Sequence, residues 1–146
     1  DRIVKQAIRK YAKAFIRQKL KLNYQELNTV VLTDEKWLVF VLEQILSNAL
    51  KYTPKGEISI YMDPQAEKTL VIEDTGIGIE PEDLPRVFEK GFTGYNGRAD
   101  KKSTGIGLYL CKEILTRLSH TIAIESQVGQ GTKVKIDFTT VTFTHE

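Results

Sequence analysis

Cysteine, histidine and long apolar runs are what this sequence has least of. A single cysteine, Cys111, in 146 residues excludes an intrachain disulfide framework and suits a reducing compartment. Set among Leu108, Leu110, Ile114 and Leu115, that thiol reads as packing rather than as a reactive group. No apolar run approaches the roughly 20 residues that span a bilayer, and no signal peptide is visible. Neither sign of charge dominates: 21 Lys and Arg against 19 Asp and Glu leave +2, too little to imply a nucleic-acid partner. The two histidines carry little: His120 stands at a strand mouth with no evident partner and is expected to be structural, and His145 is uninformative. The chain opens at Asp1 without an initiator Met, as expected of a piece of a longer protein. What is present in quantity is ordinary, 41% hydrophobic and 27% charged residues, enough for one domain with a substantial core.

Periodicity orders the elements. Val4, Ile8, Tyr11 and Phe15 recur at helical spacing over residues 2–17, with Lys5, Arg9, Lys10, Lys13 and Arg17 on the other side as a solvated face. Leu20, Leu22 and Tyr24 alternate as a strand, and residues 28–32 are expected to return as a second one. Thr33-Asp34 starts a helix that Pro54 and Gly56 end near Tyr52. A hairpin is predicted from residues 57–62 and 69–74, then a short helix after Glu80-Pro81-Glu82-Asp83 carrying Leu84, Val87 and Phe88. A further helix spans about 106–118. Two last strands are joined at Gly129-Gln130-Gly131, and residues 139–146 form a tail.

Three stretches carry chemistry. The predicted helix 34–52 buries Leu38, Val41, Leu42, Ile45, Leu46 and Ala49, and opposes them with a stripe of Gln44, Ser47, Asn48 and Lys51 ending at Tyr52. Such a stripe is usually the wet side of a helix, but this one mixes amides with a single cation instead of Glu and Lys. In Glu73-Asp74-Thr75-Gly76-Ile77-Gly78-Ile79, Asp74 falls in phase with Leu70 and Ile72, at the end of an apolar face where an unpaired carboxylate is costly. Either it caps its own turn or it accepts a hydrogen bond from a flat ligand brought close by the glycines. The stretch alone does not choose. Residues 91–107 hold five glycines among polar side chains and run into a helix N-terminus, an arrangement suited to an anion.

No Walker A loop and no dinucleotide fingerprint occurs. Taken in order, though, the amide-and-lysine stripe, the Asp-x-Gly-x-Gly turn and the glycine-rich loop resemble the catalytic ATP-binding domain of sensor histidine kinases. These belong to the superfamily shared with gyrase, Hsp90 and the mismatch-repair ATPases. Phe88-Glu89-Lys90-Gly91-Phe92-Thr93-Gly94-Tyr95-Asn96-Gly97-Arg98 with Ser103-Thr104-Gly105-Ile106-Gly107-Leu108 looks closest to kinases that sense cell-envelope antimicrobial peptides such as bacitracin alongside peptide transporters. The resemblance implies an α+β fold: a two-layer sandwich whose mixed sheet is covered on one face by three helices. It implies ATP and Mg²⁺, with Asn48 on the metal, Lys51 on a phosphate, Tyr52 against the adenine and Asp74 accepting the adenine amine. Gly76 and Gly78 would allow that approach and Ile79 would line the pocket. Phe88 and Phe92 would anchor an ATP lid over 91–107, Ser103 and Thr104 within it would help hold the nucleotide, and Gly105, Gly107 and Leu108 would present amides to the phosphates. Thr132 would support the adenine end through water.

Two departures from the family pattern stand out. Relatives that hydrolyse ATP place a Glu one helical turn before the metal-binding Asn, where this chain has Gln44, which is no base. Glu43 is one step round the helix. Many histidine kinases also carry an Arg shortly after the lid phenylalanine, where Thr93 stands here. The γ-phosphate cation is then expected from Arg98, ahead of Lys101 and Lys102. Neither His120 nor His145 lies on a helix beside an acid, so the phosphoacceptor is expected on a separate dimerisation domain. The implied partners are that domain, a response regulator and, through the full-length protein, a peptide-transporter permease. The implied setting is the cytoplasmic side of a bacterial membrane protein, with the piece itself monomeric. A nucleotide-binding docking module of a degenerate kinase and an anti-sigma-type serine kinase are the competing readings.

Overall fold

The computed structural model describes residues 1–91 and 107–139. The elements run α1 (Arg2–Gln18), β1 (Lys21–Tyr24), α2 (Glu35–Tyr52), β2 (Glu57–Met62), β3 (Thr69–Asp74), a single 3₁₀ turn (Leu84–Arg86), α3 (Gly107–Arg117), β4 (Thr121–Gln127) and β5 (Gly131–Asp137). The strands form one sheet in the order β1-β2-β3-β5-β4. β1 pairs parallel with β2, and every other pairing is antiparallel, so the sheet is mixed.

The helices lie on one face of this sheet, giving the expected two layers. Asp34 caps α2, its carboxylate accepting the Trp37 N–H at 3.0 Å. The apolar side of α2 supplies Val41, Leu42, Ile45 and Leu46, all essentially inaccessible, to a core shared with Ile58, Ile60, Leu70, Ile72 and Ile136 of the sheet. Phe15 and Val4 close it from α1, and Cys111 and Leu115 from α3. Burial pushes the Cys111 thiol up to about 12, which makes it a packed group and not a nucleophile. β3 is central, so even Val71, out of phase with Leu70 and Ile72, is buried.

Two sequence expectations are corrected. Residues 28–32 are no strand: Asn28 has φ 49°, which breaks extended backbone, and Val30 and Leu32 stay exposed. The Leu27 and Asn28 N–H groups turn instead to the Asp1 carboxylate, which also accepts from the Tyr24 hydroxyl. The short helix after Asp83 shrinks to one 3₁₀ turn, because Pro85 lacks the N–H that a longer helix would need there.

His120 is structural, as expected. It is 2% exposed, its Nε2 lies 2.9 Å from the Thr33 hydroxyl, and its ring packs edge-on against Phe138. Burial holds its pKa below the ordinary value. A histidine with a depressed folded pKa contributes stability that is complete above the unfolded value, near 6.5, and is lost as pH falls through the folded one. The melting temperature is therefore expected to be flat above about pH 7 and to decline on acidification below about 6.5. His120→Gln should flatten that part of the profile. A wild-type profile unchanged by the substitution would contradict this.

Candidate functional site

Strand register builds the site. On the helix-facing side of the sheet, Ile60, Ile72, Val134 and Ile124 stand in one apolar cross-strand row. The next row toward one end is Ile58, Asp74, Thr132 and Ser126, and there the face turns polar. Asp74 is only 9% exposed. Its Oδ1 accepts both the Gly76 N–H at 2.9 Å and the Thr132 N–H at 3.2 Å. Burial raises its pKa, while these two bonds and the nearby Thr53 hydroxyl pull it back toward the ionised form. The two readings of this carboxylate are therefore compatible: one oxygen caps the turn, and the group remains a buried acceptor at the edge of the core.

The glycine positions of the turn after Asp74 have no room for a side chain. A Cβ on Gly76 would stand 2.2 Å from the Tyr52 carbonyl oxygen, and the Ile77 N–H donates to that same carbonyl at 3.0 Å. The C-terminus of α2 is thus stitched to the glycine turn. Gly78 has φ +79° and lies against the backbone of Gln127. Ser126 was not singled out from the sequence. Its hydroxyl accepts the Ile79 N–H at 2.8 Å, donates to the Gly131 carbonyl and lies 2.9 Å from the Thr132 hydroxyl. The only available signal was register, since Ser126 falls opposite Thr132 if Gly129-Gln130-Gly131 is the turn.

The α2 stripe runs from this turn to α3. Gln44, Ser47 and Asn48 are half-buried, Lys51 is exposed, and the Lys51 ammonium sits 5.7 Å from the centre of the Tyr52 ring. At the other end, a Cβ on Gly107 would lie 3.3 Å from the Gln44 Oε1, so the first residue of α3 abuts the stripe. From Gln44 to Tyr52 the helix rises about 12 Å. The stripe therefore joins an acceptor at one end to a helix N-terminus, with its unpaired amides and positive dipole, at the other. Glu43 turns away and pairs with Lys10 of α1 at 3.4 Å. Phe88 lies beneath the Lys112 ammonium of α3 at 5.0 Å, and Lys90 approaches the Tyr109 ring, so the chain just before residue 92 is held on α3. Leu108 and Ile79 are half-buried. Phe92, Arg98, Lys101, Lys102, Ser103, Thr104 and Gly105 lie outside the described residues.

The profile of the histidine kinase-, DNA gyrase B- and HSP90-like ATPases matches residues 33–142. The chain belongs to that family. Within it, the chain is an ATP-binding catalytic domain of the sensor histidine kinase type. It is 49% identical over 111 residues to the sensor protein BceS of Halalkalibacterium halodurans, covering 75% of this chain and 33% of that protein. It is 37% identical over 146 residues to the sensor histidine kinase YxdK of Bacillus subtilis, covering 94% of this chain and 44% of that one. The chain thus spans a third to under half of these relatives. Among solved structures, the catalytic domain of histidine kinase ThkA superposes with a TM-score of 0.76 at 20% identity, over 92% of this chain and 90% of that one, a likeness of fold. No helix among the described residues is long and apolar enough to cross a membrane.

Proposed function

We propose that this ATPase-family domain holds Mg·ATP along the α2 stripe and delivers the γ-phosphoryl group to a histidine on a separate dimerisation domain of the same kinase. The observation that carries the reading is Asp74, a buried acceptor closing an otherwise apolar sheet face beside a bare glycine turn. Asp74 accepts the adenine amine, with Gly76, Gly78, Ile79 and Thr132 shaping that end and Tyr52 against the ring. Asn48 would offer its side-chain oxygen to the magnesium that accompanies the phosphates. Lys51 meets a phosphate, and Gly107 and Leu108 offer amides at the N-terminus of α3. Arg98, Ser103, Thr104 and Gly105 complete the set from an ATP lid over 91–107 that Phe88 and Phe92 would anchor. Bound magnesium neutralises phosphate charge; the chain's own part is positioning and charge stabilisation, which dominate phosphoryl transfer. The rest of the kinase supplies the acceptor and a membrane anchor; its partners are a response regulator and, through the full-length protein, a peptide-transporter permease, with this monomeric domain on the cytoplasmic side.

The test is to mix the domain with an acceptor domain in trans, ATP and Mg²⁺, and assay phosphohistidine. Its appearance supports transfer. Nucleotide binding without it leaves a docking module. Hydrolysis is a separate expectation: Gln44 has no basicity, and Glu43 is engaged with α1. The isolated domain should release phosphate no faster than buffer, with or without Gln44→Ala. Turnover abolished by that substitution would overturn the assignment.

A further inference from the structure

Helix α1 breaks the local rules that stabilise a helix, and the fold compensates only in part. Its 17 residues include no Asp or Glu. Lys5, Arg9, Lys13 and Arg17 follow one another at four-residue steps, so like charges are neighbours along one side over about 18 Å. The first turn holds no acid, and Arg2 and Lys5 stand at the end where the helix dipole disfavours cations. The acids of α2 answer only Arg2, through Glu35 at 2.6 Å, and Lys10, through Glu43 at 3.4 Å. Lys5 lies over the Tyr24 ring, whereas Arg9, Lys13 and Arg17 are exposed with no acidic partner among the described residues. Ile16 shares their side of the helix, one turn after Lys13, and is 78% exposed. The imbalance is regional. Residues 1–21 hold eight Lys and Arg against one acid, a net +7, so the other 125 residues supply −5 to the chain's +2.

We propose that the outer face of α1 is a docking surface for an anionic lipid bilayer, its cations meeting headgroup phosphates while Ile16 enters the interface between them. The inference goes beyond the nucleotide reading and does not rest on it. Charge complementarity decides the occupant. A fluid plane of anionic headgroups asks for positive density along a convex line, which long, unpinned Lys and Arg side chains supply without fixed geometry. Just beneath its charge lies an apolar layer, which gives the exposed Ile16 a use that a nucleic-acid backbone does not offer. The apolar side of the helix, with Val4, Ala7 and Phe15, is committed to the core, so α1 lies on the bilayer through its charged side without inserting. The nucleotide stripe is undisturbed. Glu43 turns toward α1, and Gln44 and Asn48 stand on another side of α2, so the surface is available with the nucleotide site empty or filled.

The experiment is co-sedimentation of the whole chain with vesicles of phosphatidylcholine alone, or with about one-third phosphatidylglycerol, at low and physiological ionic strength. The parent should bind the anionic vesicles only, and less as salt rises. The triple variant Arg9→Gln, Lys13→Gln, Arg17→Gln should bind roughly a hundredfold more weakly, at about fivefold per cation. It should melt no lower than the parent, because like-charge neighbours are removed. Ile16→Ser should weaken vesicle binding severalfold and leave its salt dependence unchanged. A second triple variant, Lys55→Gln, Arg117→Gln, Lys133→Gln, removes the same charge elsewhere and should bind like the parent. Equal losses in the two triple variants would show net charge alone at work and overturn the proposal, as would a parent that ignores the anionic vesicles. Binding to soluble polyglutamate instead, through the same three α1 cations, would assign the face to an acidic protein and overturn it as well.

Discussion

Asp74→Asn is expected to weaken Mg·ADP binding by at least roughly a hundredfold, about 3 kcal/mol, as read by calorimetry. The size follows from which oxygen the backbone addresses. Both the Gly76 and Thr132 N–H groups donate to Oδ1, so an asparagine keeps its carbonyl there and turns its amide NH₂ to where the second carboxylate oxygen stood. The substitution therefore does more than remove a charge. It sets a donor against the donor of the ligand amine, adding an unpaired buried group to a lost charge-assisted bond. Stability should move the other way. The folded pKa of Asp74 is raised, chiefly by burial, so the protonated form is the one the fold prefers. Its contribution is complete below the unfolded pKa and is lost as pH rises through the folded value. At neutral pH the empty domain carries that loss, and Asp74→Asn should melt no lower than the parent. A variant that binds ADP as tightly as the parent would remove Asp74 from the site. One that melts well below the parent would show the carboxylate to be a structural cap.

Gly78→Ala should have a large effect on the fold, about 3 kcal/mol or more, lowering the melting temperature by roughly 10 °C for a domain of this size. Two independent penalties coincide at this position. Its φ of +79° disfavours any side chain, and a Cβ would stand 2.3 Å from the Gln127 carbonyl oxygen and 2.8 Å from the Val128 Cα. Both obstacles are backbone, so no rotamer change relieves them. The strand that would have to yield is β4, whose Ser126 holds the Ile79 N–H and the Gly131 carbonyl. Nucleotide binding should fall with stability, because displacing that corner moves Thr132, a donor to Asp74. Thermal melting with and without ADP separates the two losses. A Gly78→Ala domain that melts within a few degrees of the parent would mean the β4–β5 corner yields easily.

Helix faces and strand phases were legible in the sequence because they are local. The 3.6-residue period marked the buried side of α2, and the two-residue period put Asp74 in line with Leu70 and Ile72. The errors came where local propensity met a distant partner or a missing donor. Residues 28–32 have a strand-forming composition, but Asp1, 26 residues earlier, takes the Leu27 N–H. The turn after Asp83 had good first-turn chemistry but lacks the N–H at Pro85 that would continue it. Glu43 and Gln44 were distinguishable as neighbours on a helix. Only the packing of α2 against α1 and α3 put Glu43 on Lys10 and Gln44 beside Gly107.

By itself the order of residues determined the long helices and most of the strands, the amphipathic stripe, the Asp-x-Gly-x-Gly turn and the family they belong to, since each depends on spacing along one chain. Tertiary structure alone decided that Asp74, Thr132 and Ser126 share a cross-strand row, that both backbone donors choose Oδ1, and that Thr53 is sealed beside them. Those relations join segments up to 58 residues apart in sequence. They exist only once strand pairing and helix docking have excluded water and left each polar group to find its partner within the fold.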